Sequence, residues 1–242
     1  MEVHYHPEEH HKHRKKFKEY LKEGLMIFVA VFMGFIAENI REHITDRIKE
    51  KEYAASLVRD LQQDSIKLSE VIAEQKLLDK GKDSLIAVLS DSTSSPNFTD
   101  NAYRLFFKYG TSIAVFNSTD RTMSQLLSTG NLRLIEKQEV ANKISDYYDR
   151  VKDAGTQVAL NNTSADDCFQ YAQNLFIFQY GLKPKTPNKQ LITRDHDTMV
   201  KYINKLTQMK IAEQFYVLND LKQVNKSCIE LIKLLKTEYH IS

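Results

Sequence analysis

Residues 24–37 read GLMIFVAVFMGFIA, a run without one charged or polar side chain, set between flanks dense in both. As an α-helix these residues extend about 21 Å, short of the roughly 30 Å hydrocarbon core of a bilayer, and core helices and signal-peptide cores share that length. Two features favour a membrane span. The run is apolar on every face, whereas a surface helix of a soluble domain keeps a polar stripe. It also extends to Phe17 and Ile40 if Lys18 and Lys22 snorkel outward and Tyr20 lies at the interface. The expected anchor is therefore residues 17–40, with Leu25, Ile27, Phe28, Val29, Val31, Phe32, Phe35 and Ile36 in lipid. Lys18, Lys22, Glu38, Asn39 and Arg41 are the expected polar residues at the membrane edge. A cleaved signal peptide fits less well, because Phe35 stands where a small residue is wanted before Ala37.

The flanks predict orientation. Residues 10–22 carry His10, His11, Lys12, His13, Arg14, Lys15, Lys16, Lys18 and Lys22 against Glu19 alone, while Arg41, Arg47, Lys49 and Lys51 are balanced by Glu38, Glu42, Asp46 and Glu50. Basic excess stays cytoplasmic. The expectation is a cytoplasmic tail over residues 1–16, an anchor in a bacterial inner membrane, and an extracytoplasmic (periplasmic) domain over residues 41–242. The tail histidines His4, His6, His10, His11 and His13 suit either transition-metal binding or a basic tail resting on anionic headgroups, and the second reading is preferred because no fixed scaffold holds them.

Beyond the anchor the chain reads as all-α. Seven glycines and four prolines in 242 residues are few, and none falls between Glu38 and Lys80. Apolar residues recur at helical spacing at Ile40, Ile44, Ile48, Ala54, Leu57, Val58, Leu61, Ser65, Leu68 and Ile72, so the anchor is expected to continue as one stalk-like helix to Leu89, with a weak point at Gly81. Turn formers over residues 90–100 end it. A short helix over 101–109, with Tyr103, Phe106 and Phe107 on its aromatic face, precedes one capped by Ser118 or Thr119 and closed by Gly130. A long helix from about Lys137 buries Val140, Ile144, Tyr147, Tyr148, Val151 and Val158, with a possible bend at Gly155 or 161–163 before Phe169, Leu175, Phe176 and Tyr180. The last, about 195–239, shows a bundle or coiled-coil seam of Met199, Ile203, Leu206, Ile211, Phe215, Leu218, Leu221, Val224, Cys228, Ile232 and Leu235. The sum is an N-terminal transmembrane helix continuing into an antiparallel bundle of long helices.

Two stretches carry a family resemblance. YLKEGLMIFVAVFMGFIAENIRE (20–42) with EYAASLVRDLQQD (52–64) is the first, and RTMSQLLSTGNLRLIEKQEVANKISDYYDRV (121–151) the second. Together they resemble a group of single-span membrane proteins found mainly in Bacteroidota and catalogued as a domain of unknown function. The group's motif is matched at Leu127, Ser128, Thr129, Gly130, Asn131 and Leu132, and its paired tyrosines at Tyr147 and Tyr148. Many relatives have a longer anchor with an acidic residue inside it, whereas Glu23 and Glu38 stand at its ends here. The resemblance implies topology and no activity.

Function is bounded mainly by what is missing. The 34 basic and 32 acidic residues leave a net charge of +2, which argues against nucleic acid as a partner. No phosphate loop, zinc-protease pair, nucleophile elbow or CxxC occurs, and no cofactor or metal is expected. Cys168 and Cys228, far apart, read as free buried thiols or, in an oxidising compartment, as one disulfide. Arg194, Asp195, His196 and Asp197 form the one dense polar cluster, better explained by helix capping than by catalysis. Likewise 128–131 (STGN) reads as a helix end before an anion site, and the aromatics as core before a pocket. The leading expectation is a non-enzymatic scaffold or sensor-like module that acts through helix-mediated interaction, with the bilayer and either a second copy or another membrane protein as partners. The alternatives are an accessory subunit of a channel or energy-transducing assembly, with Glu38 and Asn39 at the contact, and a ligand-binding or hydrolytic periplasmic domain.

Overall fold

The computed structural model describes residues 17–91, 96–183 and 185–241, so the histidine tail lies outside the described residues. These residues form helices α1 (Phe17–Ser90), α2 (Phe98–Tyr109), α3 (Arg121–Ser128), α4 (Gln138–Ala172), α5 (Gln179–Leu182), α6 (His196–Phe215) and α7 (Lys222–Tyr239). A 3₁₀ turn over Asn131–Leu134 joins α3 to α4, and a π turn over Tyr216–Leu221 joins α6 to α7. Among the described residues there is no β-strand, and the all-α reading stands.

By internal contacts the chain forms two units, 1–50 and 51–242. The described part of the first is helix alone, and it contains the one helical window long and apolar enough to cross a membrane, with none of that window buried. Helix α1 continues through both units without a break at Gly81. That glycine serves packing: a Cβ there would lie 2.2 Å from the ring of Tyr109.

The second unit is a bundle of three long helices. Lys205 in the middle of α6 pairs with Asp167 near the end of α4, and Lys137 before α4 pairs with Glu238 at the end of α7, so α6–α7 runs antiparallel to α4. Helix α6–α7 is also antiparallel to α1, as the contacts of Lys210 with Asp83 and of Cys228 with the Leu61 carbonyl show. Helices α1 and α4 consequently run the same way. Two apolar cores are stacked along the bundle. One joins Leu57, Leu61 and Leu68 to Leu126, Ile144, Tyr147, Leu221, Val224 and Leu231; the other joins Leu85 and Leu89 to Phe106, Cys168, Phe176, Tyr202 and Leu206.

Several local expectations are corrected. Helix α2 starts at Phe98 rather than 101, and its aromatic face is Phe98, Tyr103 and Phe106, with Phe107 exposed. Helix α3 starts at Arg121 after Asp120, so neither Ser118 nor Thr119 is its N-cap residue. Gly130 does adopt the left-handed conformation at its end, at φ +67°. Helix α4 passes 155 and 161–163 as one helix and stops at Ala172, with Phe169 exposed. In the last helix Ile211, Phe215 and Leu218 face outward, and Met209, Glu213, Tyr216 and Val217 take the interior. A charged residue in that row is what hides the true stripe from a reading of hydrophobic spacing.

Candidate functional site

Residues 112–120 form neither helix nor strand. In a helical bundle such a segment has no ladder to join, and its buried backbone groups need partners from side chains. Helix α1 supplies them in order. Lys82 Nζ donates to the Ser112 carbonyl at 2.8 Å, Gln75 Oε1 accepts from the Ala114 amide at 3.1 Å, and Lys67 Nζ reaches the Asn117 carbonyl at 3.2 Å and Thr119 Oγ1 at 2.8 Å. Asp64 Oδ1 accepts from the Thr119 amide at 2.6 Å and Asp60 Oδ2 from the Thr122 amide at 2.9 Å. The spacing is commensurate. From Lys82 back to Asp64 an α-helix rises about 27 Å at 1.5 Å per residue, and from Ser112 to Thr119 an extended chain covers up to about 23 Å at 3.3 Å per residue, the difference lying within side-chain reach. The strap therefore lies along α1, antiparallel to it, and delivers the chain to α3.

At the far end of the strap the carboxylates do further work. Asp60 is buried and also accepts from Thr122 Oγ1 at 2.6 Å and Arg121 Nη2 at 3.0 Å, so α3 takes its N-terminal cap from a different helix. Asp64, wholly buried, accepts from the Tyr147 hydroxyl at 2.7 Å. Burial drives the Tyr147 hydroxyl far above the ordinary tyrosine range, with Cys228 and Asp64 adding to it, and burial lifts Tyr148 likewise. The two rings meet edge to face at 5.0 Å. Asn131 Nδ2 donates to the Tyr53 hydroxyl at 2.8 Å. Thus the two stretches that carry the family resemblance touch each other: Tyr53, Asp60 and Asp64 from the first meet Asn131, Arg121, Thr122 and Tyr147 from the second. The motif itself is mixed, with Leu127, Ser128, Thr129 and Gly130 exposed and Leu132 and Asn131 half-buried.

At the near end lies a buried ion pair, Lys82 with Glu213, at 2.5 Å and with both side chains about 1% exposed or less. Gln75 Nε2 donates to the same Glu213 oxygen, Oε2, at 2.8 Å, while Glu213 Oε1 has no hydrogen-bond partner. Burial holds Glu213 above its ordinary carboxylate range against the pull of Lys82 and Gln75. None of Asp60, Asp64, Gln75, Lys82 or Glu213 stands out as a motif. Their signal is positional: on α1 the four polar residues sit at steps of 4, 11 and 7, each a whole number of helical turns on the face that also carries Leu57, Leu61, Leu68 and Leu85.

The remaining expected residues fall elsewhere. Leu25, Ile27, Phe28, Val29, Val31, Phe32, Phe35 and Ile36 are all 38–71% exposed, around every face of α1. Lys18, Lys22, Glu38, Asn39 and Arg41 are exposed beside them, and Arg41 Nε donates to Glu38 at 2.9 Å. Asp195 is the N-cap of α6, accepting from the Thr198 amide at 2.9 Å and hydroxyl at 2.8 Å, which holds its carboxyl below the usual range. His196 and Asp197 are exposed, and Arg194 lies over the Phe98 ring. Cys168 and Cys228 are free, one in each core. Among the described residues no three His, Cys, Asp or Glu side chains cluster as metal ligands. Comparison with protein-family models, with curated proteins and with solved structures gives no match.

Proposed function

We propose that this chain is a membrane-anchored, non-enzymatic scaffold or sensor-like module of the bacterial inner membrane, with a cytoplasmic N-terminus and a periplasmic bundle that acts through helix-mediated protein interaction. The observation that carries the reading is the helix over residues 17–50, whose apolar side chains are open on every face. An all-round apolar helix is soluble only in lipid or against other protein. Kinship with the Bacteroidota group belongs to this proposal, and it agrees with the packing of the two shared stretches on each other. A further support is the outward row of Ile211, Phe215 and Leu218, exposed by 54–66% and spaced 4 and 3 residues apart on one helix face. In the Arg194–Asp197 cluster on which a hydrolase reading would rest, Asp195 accepts the Thr198 amide as a helix cap. Glu38, the contact expected of an accessory subunit, is already paired with Arg41.

The test is crosslinking of the full chain in native membranes followed by size analysis. The reading expects crosslinked species larger than the monomer, from self-association or a partner, in the membrane fraction. A chain that runs only as a monomer, or that fractionates as a soluble protein, contradicts it.

A further inference from the structure

Where α2 meets Tyr180, Gly181 and residues 185–189, a cleft of about 550 Å³ opens in the second unit. Its apolar wall is aromatic: Tyr103 stacks on Phe107 at 6.0 Å and meets Tyr180 edge-on at 5.2 Å. This wall is not closed core. Phe107 is 43% exposed, although Tyr103 and Phe106 beside it on α2 are buried. The chain passes tightly over that ring at Gly181, where a Cβ would come within 2.7 Å of the Phe107 ring. The polar rim is cationic. Lys189 is paired with Asp100 at 2.9 Å, while Arg104 and Lys185 meet no carboxylate among the described residues. Three cations against one carboxylate leave the cleft at +2.

The size falls within that of small-molecule sites. The aromatic wall offers stacking and edge contacts to a flat ring, and Arg104 offers a fork that matches a carboxylate, with Lys185 as a second charge. A bare anion forgoes the wall and a neutral ring forgoes the rim. We infer that the cleft binds a small planar aromatic carboxylate, its ring against Phe107 and Tyr180 and its carboxylate between Arg104 and Lys185. The inference does not rest on the scaffold reading, and it supplies the bundle with a ligand class in either case.

Calorimetric titration of the full chain in nanodiscs, against empty nanodiscs, tests it with three probes: 2-naphthoate, 2-naphthalenemethanol and acetate. 2-Naphthoate is expected to bind saturably, at one site, at least tenfold tighter than either of the others. The double variant R104Q/K185Q, both positions on the surface and checked for native helicity by circular dichroism, should weaken 2-naphthoate at least tenfold and change 2-naphthalenemethanol less than twofold. The absence of saturable 2-naphthoate binding, equal binding of the neutral probe, or undiminished 2-naphthoate binding by the double variant each overturns the inference. Monomeric behaviour on crosslinking would leave these outcomes unchanged, so the two readings fail separately.

Discussion

Replacing Lys82 with Met keeps an unbranched side chain one atom shorter and removes its charge, and the structure sets what that costs. Glu213 loses its counter-ion at 2.5 Å and the Ser112 carbonyl loses its donor at 2.8 Å, both in the interior. Removing one partner of a buried ion pair typically costs 3–5 kcal/mol, so K82M is expected to lose about 4 kcal/mol. E213M strands Lys82 and should lose about as much. The double variant K82M/E213M buries no unpaired charge; its debit is mainly the Ser112 carbonyl, on the order of 1–3 kcal/mol. It should therefore be more stable than either single variant. The assay is guanidinium unfolding of the full chain in mild detergent, followed by circular dichroism. Single-variant losses that simply add in the double variant refute the coupling. The pH dependence has a definite sign. Because burial raises Glu213 above its unfolded value near 4.5, the folded state binds the extra proton between the two values, and its stability falls as pH rises through that window. The stability of wild type relative to E213Q should decline as pH is raised from about 4.5 and level off above the folded value.

The other predictions concern single contacts. D60A removes the acceptor of the Thr122 amide and hydroxyl and of Arg121, and should cost about 2–3 kcal/mol in the same unfolding assay, whereas Y147F, which deletes one hydroxyl bonded to Asp64, should cost about 1–2 kcal/mol. Two glycines should answer to alanine differently. G81A drives a Cβ into the Tyr109 ring and should lose about 1–3 kcal/mol, recovered in part by G81A/Y109L; G130A meets no atom within 4 Å, so its cost is the left-handed backbone alone, about 1–2 kcal/mol, with no rescuing partner. Burial pushes the Cys168 thiol to about 11 and the Cys228 thiol to about 12, so neither should react with iodoacetamide at pH 8 in the native chain, and both should react once it is unfolded. Labelling of only one after unfolding, or of none, would contradict two free thiols.

Glycine scarcity and apolar spacing made the helices readable, and the run 24–37 made the exposed N-terminal helix readable. The strap was not. Residues 112–120 carry neither strand pairing nor helical period, and what fixes them is a row of polar residues on another helix. Asp60, Asp64, Gln75 and Lys82 look like solvated polar residues in a sequence because hydropathy gives them no reason to be inside; their reason is the set of backbone amides and carbonyls they satisfy. The same logic displaced the expected stripe of the last helix. Ile211 and Phe215 are more apolar than Glu213, yet Glu213 is interior because Lys82 is there to meet it. The capping role of Asp195 was legible since it depends only on residues within three positions. The Phe107 cleft was missed because α2 and residues 180–181 and 185–189 are distant in sequence and their aromatics read as core.

The π turn over Tyr216–Leu221 has a geometric consequence. Interior positions step by four through it, at Met209, Glu213, Val217 and Leu221, and return to alternating threes and fours at Val224, Cys228 and Leu231. A π turn under-rotates the backbone by about one residue, roughly a quarter turn. The run of fours matches that wider turn, so one face of α6–α7 stays inward from the core of Phe176 and Leu206 to that of Leu61 and Ile144. The turn acts as a phase correction that lets one helix serve two stacked interiors with a single face. Continued as plain α-helix, the same residues would swing Cys228 and Leu231 away from Leu61 while leaving α6 seated.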